Sequence, residues 1–230
     1  MMPISGNVSL FPYKILKNCL VHNLPMPNSR FNIPKDIEYD KICFGVDLAL
    51  SANTDESDDA DYFVIAIMAY SSKTKYYWLL NVFRERGLTY KQQIDVVKRL
   101  DERFNPDSIL VESNQYQLAF AQALKEIPKL SNKVLDRKTT AKNKYNNEIG
   151  VIATQATMEQ MRFKICYDEN DIYTKTIVDI IMAEFNSMTI NQGKIQGTQT
   201  HDDIVMACWL AQTALMTDEN NVTLSFLTYY

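Results

Sequence analysis

The chain has 230 residues, 46% of them hydrophobic, which is enough to bury the core of one domain with an extension. Its formal net charge of −4 argues against a simple basic DNA-coating protein, although this average conceals local asymmetry. The longest apolar runs are far shorter than the ~20 residues that cross a bilayer. The N-terminus lacks the pattern of a secretory signal, so we expect an intracellular protein.

The first 40 residues contain five of the seven prolines and no persistent helical or strand period. We therefore interpret residues 1–40 as a linker or docking segment.

From Lys41 onward the sequence is rich in β-forming apolar residues. The runs "KICFGVDLAL", "DYFVIAIMAY" and "KYYWLLNVFRE" are separated by an acidic loop and by "SSKT", and they predict an antiparallel meander. The first run contains Asp47 in a strand that should be buried on both faces, where a charge is costly unless it is compensated. Asp47 is therefore the first candidate functional residue.

Helices and short strands alternate after the meander. Thr89 and Gln92 predict a capping box at the start of a helix that ends at Asn105-Pro106. Further strands are predicted at "DSILVES" and "NKVLD", and further helices at "QYQLAFAQALKEI", from about Lys142 to Phe163, at "IYTKTIVDIIMAEF" and at "HDDIVMACWLAQTALM". This order predicts an α/β domain over residues 41–217, followed by a tail at 218–230. We expect a mixed five-stranded sheet, three antiparallel strands and then parallel strands, with helices on both faces.

Acidic residues occur at three places that this topology brings together. Asp47 lies near the carboxyl end of the first strand, Glu112 ends the fourth strand, and Asp202 and Asp203 begin the last helix. Ligand sites in such sheets lie beyond the carboxyl ends of the parallel strands. Each acid also has a structural explanation: Asp47 can cap a loop, Glu112 can begin a helix, and Thr200 with Asp203 predicts a capping box.

Converging carboxylates without histidine or cysteine partners favour Mg²⁺ or Mn²⁺ over zinc. The four cysteines are far apart in the sequence, and we expect them to be reduced thiols. Two hard ions roughly 3.5 to 4 Å apart can clamp the attacking and leaving oxygens of a phosphodiester displacement. The pattern therefore predicts hydrolysis of a phosphodiester by a two-metal-ion mechanism.

The strand order and the phrases "FGVDLA", "LVESNQ" and "HDDIVMA" resemble the ribonuclease H-like superfamily. More closely, residues 40–216 resemble the C-terminal nuclease domain of tailed-phage terminase large subunits. The resemblance implies an endonuclease that cuts double-stranded concatemeric phage DNA during genome packaging. It also implies that Asp47, Glu112 and Asp203 are catalytic residues and metal ligands, with Asp202 as an alternate or additional ligand. His201 precedes these acids and is left out of the predicted metal set.

The resemblance also implies partners and a location. The partners are a terminase ATPase domain, the small terminase subunit and the portal protein, and the location is the host bacterial cytoplasm and, transiently, the procapsid portal. None of the six glycines forms the phosphate-binding loop G-x-x-x-x-G-K-[ST] that an ATPase requires. We therefore expect an excised nuclease domain or the product of a split gene.

Charge is unevenly distributed along the chain. Residues 47–61 contain six acids and no base, whereas residues 125–144 contain seven bases and two acids. Either run taken alone is typical of a solvated surface. Because an acidic cleft must recruit phosphate elsewhere, we expect the basic stretch to contact the DNA backbone. The predicted contact residues are Lys133, Arg137, Lys138, Lys142 and Lys144.

Two other functions fit the acid pattern. One is another ribonuclease H-like nuclease, such as a junction resolvase or a transposase relative, although the DNA-binding or dimerisation elements usual in those enzymes are not evident. The other is a non-catalytic module that docks onto a portal or motor. Loss of one acid would favour the docking module, and none is lost.

Overall fold

The computed structural model describes residues 9–49, 62–112, 116–137, 150–191, 194–197 and 201–217. These ranges contain nine strands, six α-helices and one 3-10 turn. The elements in chain order are α1 (Tyr13–Cys19), β1 (Leu20–Val21), the 3-10 turn (Arg30–Asn32), β2 (Lys41–Asp47), β3 (Phe63–Tyr70), β4 (Tyr77–Glu85), α2 (Tyr90–Phe104), β5 (Ser108–Glu112), α3 (Tyr116–Lys125), β6 (Val134–Arg137), α4 (Val151–Glu159), β7 (Phe163–Cys166), α5 (Ile172–Ser187), β8 (Met188–Asn191), β9 (Lys194–Gly197) and α6 (Asp203–Thr217).

Seven of the strands form one sheet in the order β1-β7-β4-β3-β2-β5-β6. Strands β2, β3 and β4 are antiparallel, and β5 and β6 run parallel to β2. This confirms the predicted α/β fold and its change from antiparallel to parallel pairing. The sheet is wider than the predicted five strands, because β7 pairs with β4 and β1 pairs with β7, both in parallel. Strands β8 and β9 form a separate hairpin.

The predicted helix from about Lys142 to Phe163 is wrong at its C-terminal end. Helix α4 ends at Glu159, and Phe163 begins strand β7. Met161 has a φ of 58°, and such a left-handed residue commonly follows the end of a helix. Residues 142–149 lie outside the described ranges.

The N-terminal segment contains regular structure that its proline content did not predict. Helix α1 and strand β1 lie within it, and Phe11, Leu16 and Cys19 are fully buried. The Phe11 ring packs edge-on against Phe185, with centroids 4.9 Å apart. Residues 9–21 therefore pack against the sheet domain. The domain boundary at residue 40 stays a prediction, and the predicted tail, residues 218–230, lies outside the described ranges.

Helix α2 begins and ends as its sequence predicts. The Thr89 hydroxyl accepts a hydrogen bond from the Gln92 main-chain N–H, and the Gln92 side chain accepts one from the Thr89 N–H. At the other end Asn105 adopts the left-handed conformation, with φ 45°. These contacts satisfy main-chain groups that a helix terminus leaves without helical partners.

Helix α6 packs directly across the middle of the sheet, on β2 and its neighbours. A Cβ atom at Gly45 would lie 2.0 Å from the Ala207 carbonyl oxygen and 2.3 Å from the Ala211 nitrogen. Glycine on the strand and alanine on the helix therefore let the two backbones touch. All residues from Asp203 to Leu215 are buried, which explains why this helix is apolar on every side. No helix in the described ranges is long and apolar enough to cross a membrane.

Candidate functional site

Two of the predicted acids lie side by side at the carboxyl ends of the neighbouring strands β2 and β5, and we call this end of the sheet the carboxylate edge. Asp47 is the last residue of β2, and Glu112 is the last residue of β5. The parallel register pairs Val46 with Val111, so Asp47 and Glu112 occupy the next position on adjacent strands, which are about 4.8 Å apart. Residues at paired positions point to the same face of a sheet. Both side chains are buried, with exposed fractions of 8% and 7%.

Asp203 reaches the same edge from the start of α6. Its Oδ2 accepts a hydrogen bond from the Tyr62 main-chain N–H at 3.2 Å. Tyr62 immediately precedes β3, in which Val64 is the register partner of Asp47. Asp203 also lies one helical turn before Ala207, on the helix face that contacts Gly45. The structure therefore brings Asp47, Glu112 and Asp203 to one edge of the sheet.

Asp202 is more exposed than Asp203. Its main-chain carbonyl accepts a hydrogen bond from Met206 at 2.9 Å, which belongs to the first turn of α6. The predicted capping box cannot be followed, because Thr200 lies outside the described ranges. The assignment of Asp203 as main ligand and Asp202 as helper stays a prediction.

Sequence reasoning missed a fourth acid, Glu184, which caps α6 from a different helix. Glu184 belongs to α5 and is only 5% exposed. Its Oε1 accepts hydrogen bonds from the main-chain N–H groups of Ile204 and, at 3.3 Å, Val205. Burial and then the nearby charge of Asp203 raise the pKa of the Glu184 carboxyl to about 7. The available signal was an acid within the buried stripe of "IYTKTIVDIIMAEF".

Two arginines that the sequence analysis did not single out also lie close to Asp203. The guanidinium carbons of Arg84 and Arg86 are 3.1 and 4.1 Å from the centroid of the Tyr62 ring. Arg86 Nη2 lies 2.8 Å from His201 Nε2. Because arginine can only donate, His201 Nε2 accepts, and the neutral ring carries its proton on Nδ1. That nitrogen lies 3.6 Å from Asp203 Oδ2. The available signal was the alternation of arginines in "FRER".

The structure places two of the predicted DNA-contact residues, Lys133 and Arg137, at opposite ends of β6. The backbone of Arg137 is in register with Glu112, at the carboxylate edge. Lys133 precedes the opposite end of β6, about 13 Å from Arg137 at 3.3 Å per residue. The Lys133 ammonium forms a 2.7 Å ion pair with Asp101. The other predicted contacts, Lys138, Lys142 and Lys144, lie outside the described ranges, so this set stays a prediction.

The donor set at the edge is made of carboxylates, which suits a hard divalent cation. In the part of the chain that the structure describes, no three histidine, cysteine, aspartate or glutamate side chains are grouped so as to hold a metal ion. The edge therefore carries suitable ligand types on suitable backbone positions, without an assembled ligand set. All four cysteines are buried free thiols, and burial raises the pKa of Cys19 and Cys166 to about 12.

Solved structures from three phages are similar to this fold. The large terminase nuclease of thermophilic phage G20c with bound magnesium has a TM-score of 0.61 and 17% identity, over 90% of this chain and 97% of that one. The SPP1 large terminase nuclease domain with bound manganese has a TM-score of 0.53 and 13% identity, over 84% and 99%. The large terminase of a second thermophilic bacteriophage has a TM-score of 0.52 and 13% identity, over 90% of this chain and 45% of that one. At these identities the likeness concerns the fold.

Sequence comparison identifies the family. Comparison with curated proteins gives no match. The family model described as the terminase RNaseH-like domain matches residues 44–215, a range that includes Asp47, Glu112 and Asp203. This match confirms the resemblance derived from the sequence. The chain belongs to the family of terminase ribonuclease H-like domains.

Proposed function

We propose that the chain is the nuclease of a terminase large subunit and cleaves double-stranded, concatemeric phage DNA during genome packaging. The observation that carries the proposal is the meeting of Asp47, Glu112 and Asp203 at one sheet edge. The family match supports it, because all three acids lie inside the matched range.

The proposed reaction is metal-dependent hydrolysis of a phosphodiester. Asp47, Glu112 and Asp203 would hold Mg²⁺ or Mn²⁺, with Asp202 as an additional ligand and two ions in the complete site. Such ions activate water as a nucleophile and stabilise the charge on the leaving oxygen. The G20c and SPP1 nuclease structures with bound magnesium and manganese support a divalent cation, and other structures of the G20c nuclease hold cobalt or zinc.

Polar neighbours orient the carboxylates in this proposal. The Gln117 side chain donates a hydrogen bond to Glu112 Oε2 at 3.4 Å, and the Tyr62 main chain donates one to Asp203 Oδ2. Contacts of this kind hold a ligand side chain in one orientation. The Glu184 cap fixes the first turn of α6, and with it the position of Asp203.

The proposal includes partners and a location. Double-stranded DNA is the substrate, with the basic stretch of residues 125–144 as a contact to its backbone. An ATPase domain, the small terminase subunit and the portal protein are the proposed partners, in the host bacterial cytoplasm and at the procapsid portal. The large terminase of the second thermophilic phage, of which this chain covers 45%, supports a place within a larger packaging protein.

Plasmid cleavage tests the proposal. The chain should nick and linearise supercoiled DNA in Mn²⁺ or Mg²⁺, and EDTA should stop the reaction. Asp47→Ala should lower the rate by more than the roughly 10- to 100-fold typical of losing an outer-shell partner of a metal ligand. The matched control is Asp95→Ala, which removes an exposed carboxylate on α2 and should leave the rate unchanged. Cleavage by Asp47→Ala at the wild-type rate would place the active site elsewhere.

The family match favours a terminase over a junction resolvase or transposase relative. A non-catalytic module that docks onto a portal or motor is the remaining alternative. A folded chain that binds its motor partner but cleaves DNA with neither Mn²⁺ nor Mg²⁺ would select that alternative.

A further inference from the structure

Arg84 lies on the same face of the sheet as Asp47, and Arg86 lies just beyond the end of the same strand as Arg84. The antiparallel register pairs Asp47 with Val64, and Val64 with Arg84. Residues in register across a sheet point to the same side, so Arg84 lies two strands from Asp47, about 10 Å away. Arg86 follows the last residue of β4, and its guanidinium carbon lies 4.1 Å from the centroid of the Tyr62 ring, which Arg84 also contacts.

Tyr62 holds the two arginines in place. Both guanidinium groups contact its ring, with carbon-to-centroid distances of 3.1 and 4.1 Å, and His201 packs edge-on against the same ring at 5.1 Å. A guanidinium group that stacks on an aromatic ring loses less side-chain entropy when it binds a ligand. Both arginines are only partly buried, so solvent reaches part of each side chain.

Two positive charges on one ring repel each other and favour a nearby anion. Asp203 is linked to this cluster through the Tyr62 main chain and His201, and Arg84 interacts electrostatically with Glu184. The phosphates of the proposed substrate bring further negative charge, one at every nucleotide, to these two guanidinium groups.

We propose that Arg84 and Arg86 form a phosphate-binding subsite that contacts the DNA backbone beside the carboxylate edge. The planar fork of each guanidinium group suits bidentate hydrogen bonding to phosphate. At about 3.4 Å of helix axis per nucleotide, a separation of about 10 Å spans about three base steps. The subsite therefore contacts phosphates within about three steps of the cleaved bond. This inference rests on the proposed function for its substrate.

A purely structural role makes a different prediction. If Arg84 only offsets the charge of Glu184 and Arg86 only orients His201, their replacement changes stability and leaves the electrostatics of DNA binding intact. A phosphate contact, by contrast, displaces counterions from DNA. We call the steepness with which log K falls against log salt the salt slope, and each lost contact lowers this steepness by about 0.9.

The experiment measures binding of a short DNA duplex by fluorescence anisotropy, over a range of NaCl concentrations, in EDTA so that no cleavage occurs. The test variant is Arg84→Gln/Arg86→Gln. The matched control is Arg99→Gln/Arg103→Gln, which removes two exposed guanidinium groups from α2; Arg99 lies near the ring of Phe83, whose side chain points to the opposite face of the sheet.

The test variant should lose affinity and lower the salt slope by about 1 to 2, while the control keeps the wild-type slope. If the double variant does not fold, Arg86→Gln alone should lower the slope by about 1. An unchanged slope in a folded variant overturns the subsite.

Cleavage assays with Mn²⁺ distinguish failure of the phosphate-binding subsite from failure of the proposed reaction. A wild-type chain that cleaves, with an unchanged slope in the variant, refutes only the subsite. A wild-type chain that does not cleave, with a lowered slope in the variant, refutes only the proposed reaction.

Discussion

Replacing Gly45 by alanine tests whether close packing of α6 on β2 positions the active site. The added Cβ would lie 2.0 Å from a carbonyl oxygen and 2.3 Å from a main-chain nitrogen, where ordinary contact begins at 3.4 Å. Both atoms belong to the helix backbone, so α6 must move outward by about 1.4 Å (3.4 minus 2.0). Overpacking of this kind typically costs about 1 to 3 kcal/mol. Asp203 moves with the helix, and a displacement of about 1 Å can cost about 100-fold in rate.

Urea denaturation followed by tryptophan fluorescence gives the stability change, since Trp209 is buried on α6 itself. Plasmid cleavage gives the rate. Gly87→Ala is the matched control: no atom lies within 4 Å of its Cβ, but its φ of +70° costs an alanine about 1 kcal/mol or more. The control should lose stability and keep its cleavage rate. If Gly45→Ala unfolds at the wild-type urea concentration and cleaves at the wild-type rate, the close approach does not position Asp203.

Three further predictions follow from the site. Asp203→Asn keeps a side-chain oxygen that accepts a hydrogen bond from the Tyr62 N–H, so the melting temperature without metal should change little, while the metal affinity measured by calorimetry and the cleavage rate should fall together. Asp202→Asn should lower metal affinity and cleavage less, and a loss of stability in Asp203→Asn with intact cleavage would mean that Asp203 only caps the helix. Because the pKa of Glu184 is raised, its carboxyl holds a proton in the native state at pH values where it has lost that proton in the unfolded state, so the free energy of unfolding in EDTA should fall by up to about 3 kcal/mol as pH rises from 4.5 to 7. Glu184→Gln should make the free energy of unfolding less dependent on pH, and parallel curves for the wild-type and variant chains would contradict this prediction. Replacing Arg137, Lys138 and Lys142 together by neutral residues should weaken binding to all DNA sequences alike and lower the salt slope. An unchanged salt slope would exclude a contact between the basic stretch and the DNA backbone.

The predictable features are those set by local sequence. The apolar run of Phe63–Tyr70 predicted a buried strand, and Thr89 with Gln92 predicted a helix start, because both signals involve neighbouring residues. Asp47 and Glu112 were found because strand ends in a parallel pair meet at one edge.

The missed features depend on tertiary contacts. Glu184 caps a helix that begins 19 residues later, and nothing near it in the sequence indicates that partner. Strand β7 has four residues, so its pattern was too short to separate it from the preceding helix. The roles of Arg84 and Arg86 depend on Tyr62, which immediately precedes the neighbouring strand β3.

The wrapping of the N-terminal segment bears on where the minimal folding unit begins. Between residues 9 and 40 the chain contributes Phe11 to the core, adds β1 to the open edge of β7, and donates from the Met26 N–H to the Thr174 hydroxyl at 2.9 Å. A fragment starting at residue 41 would uncover the aromatic contact at Phe185 and leave β7 as a bare edge strand. Exposed edges with apolar surface are sites of intermolecular strand pairing. Such a truncated fragment would therefore tend to aggregate, even though it keeps every acidic residue of the site.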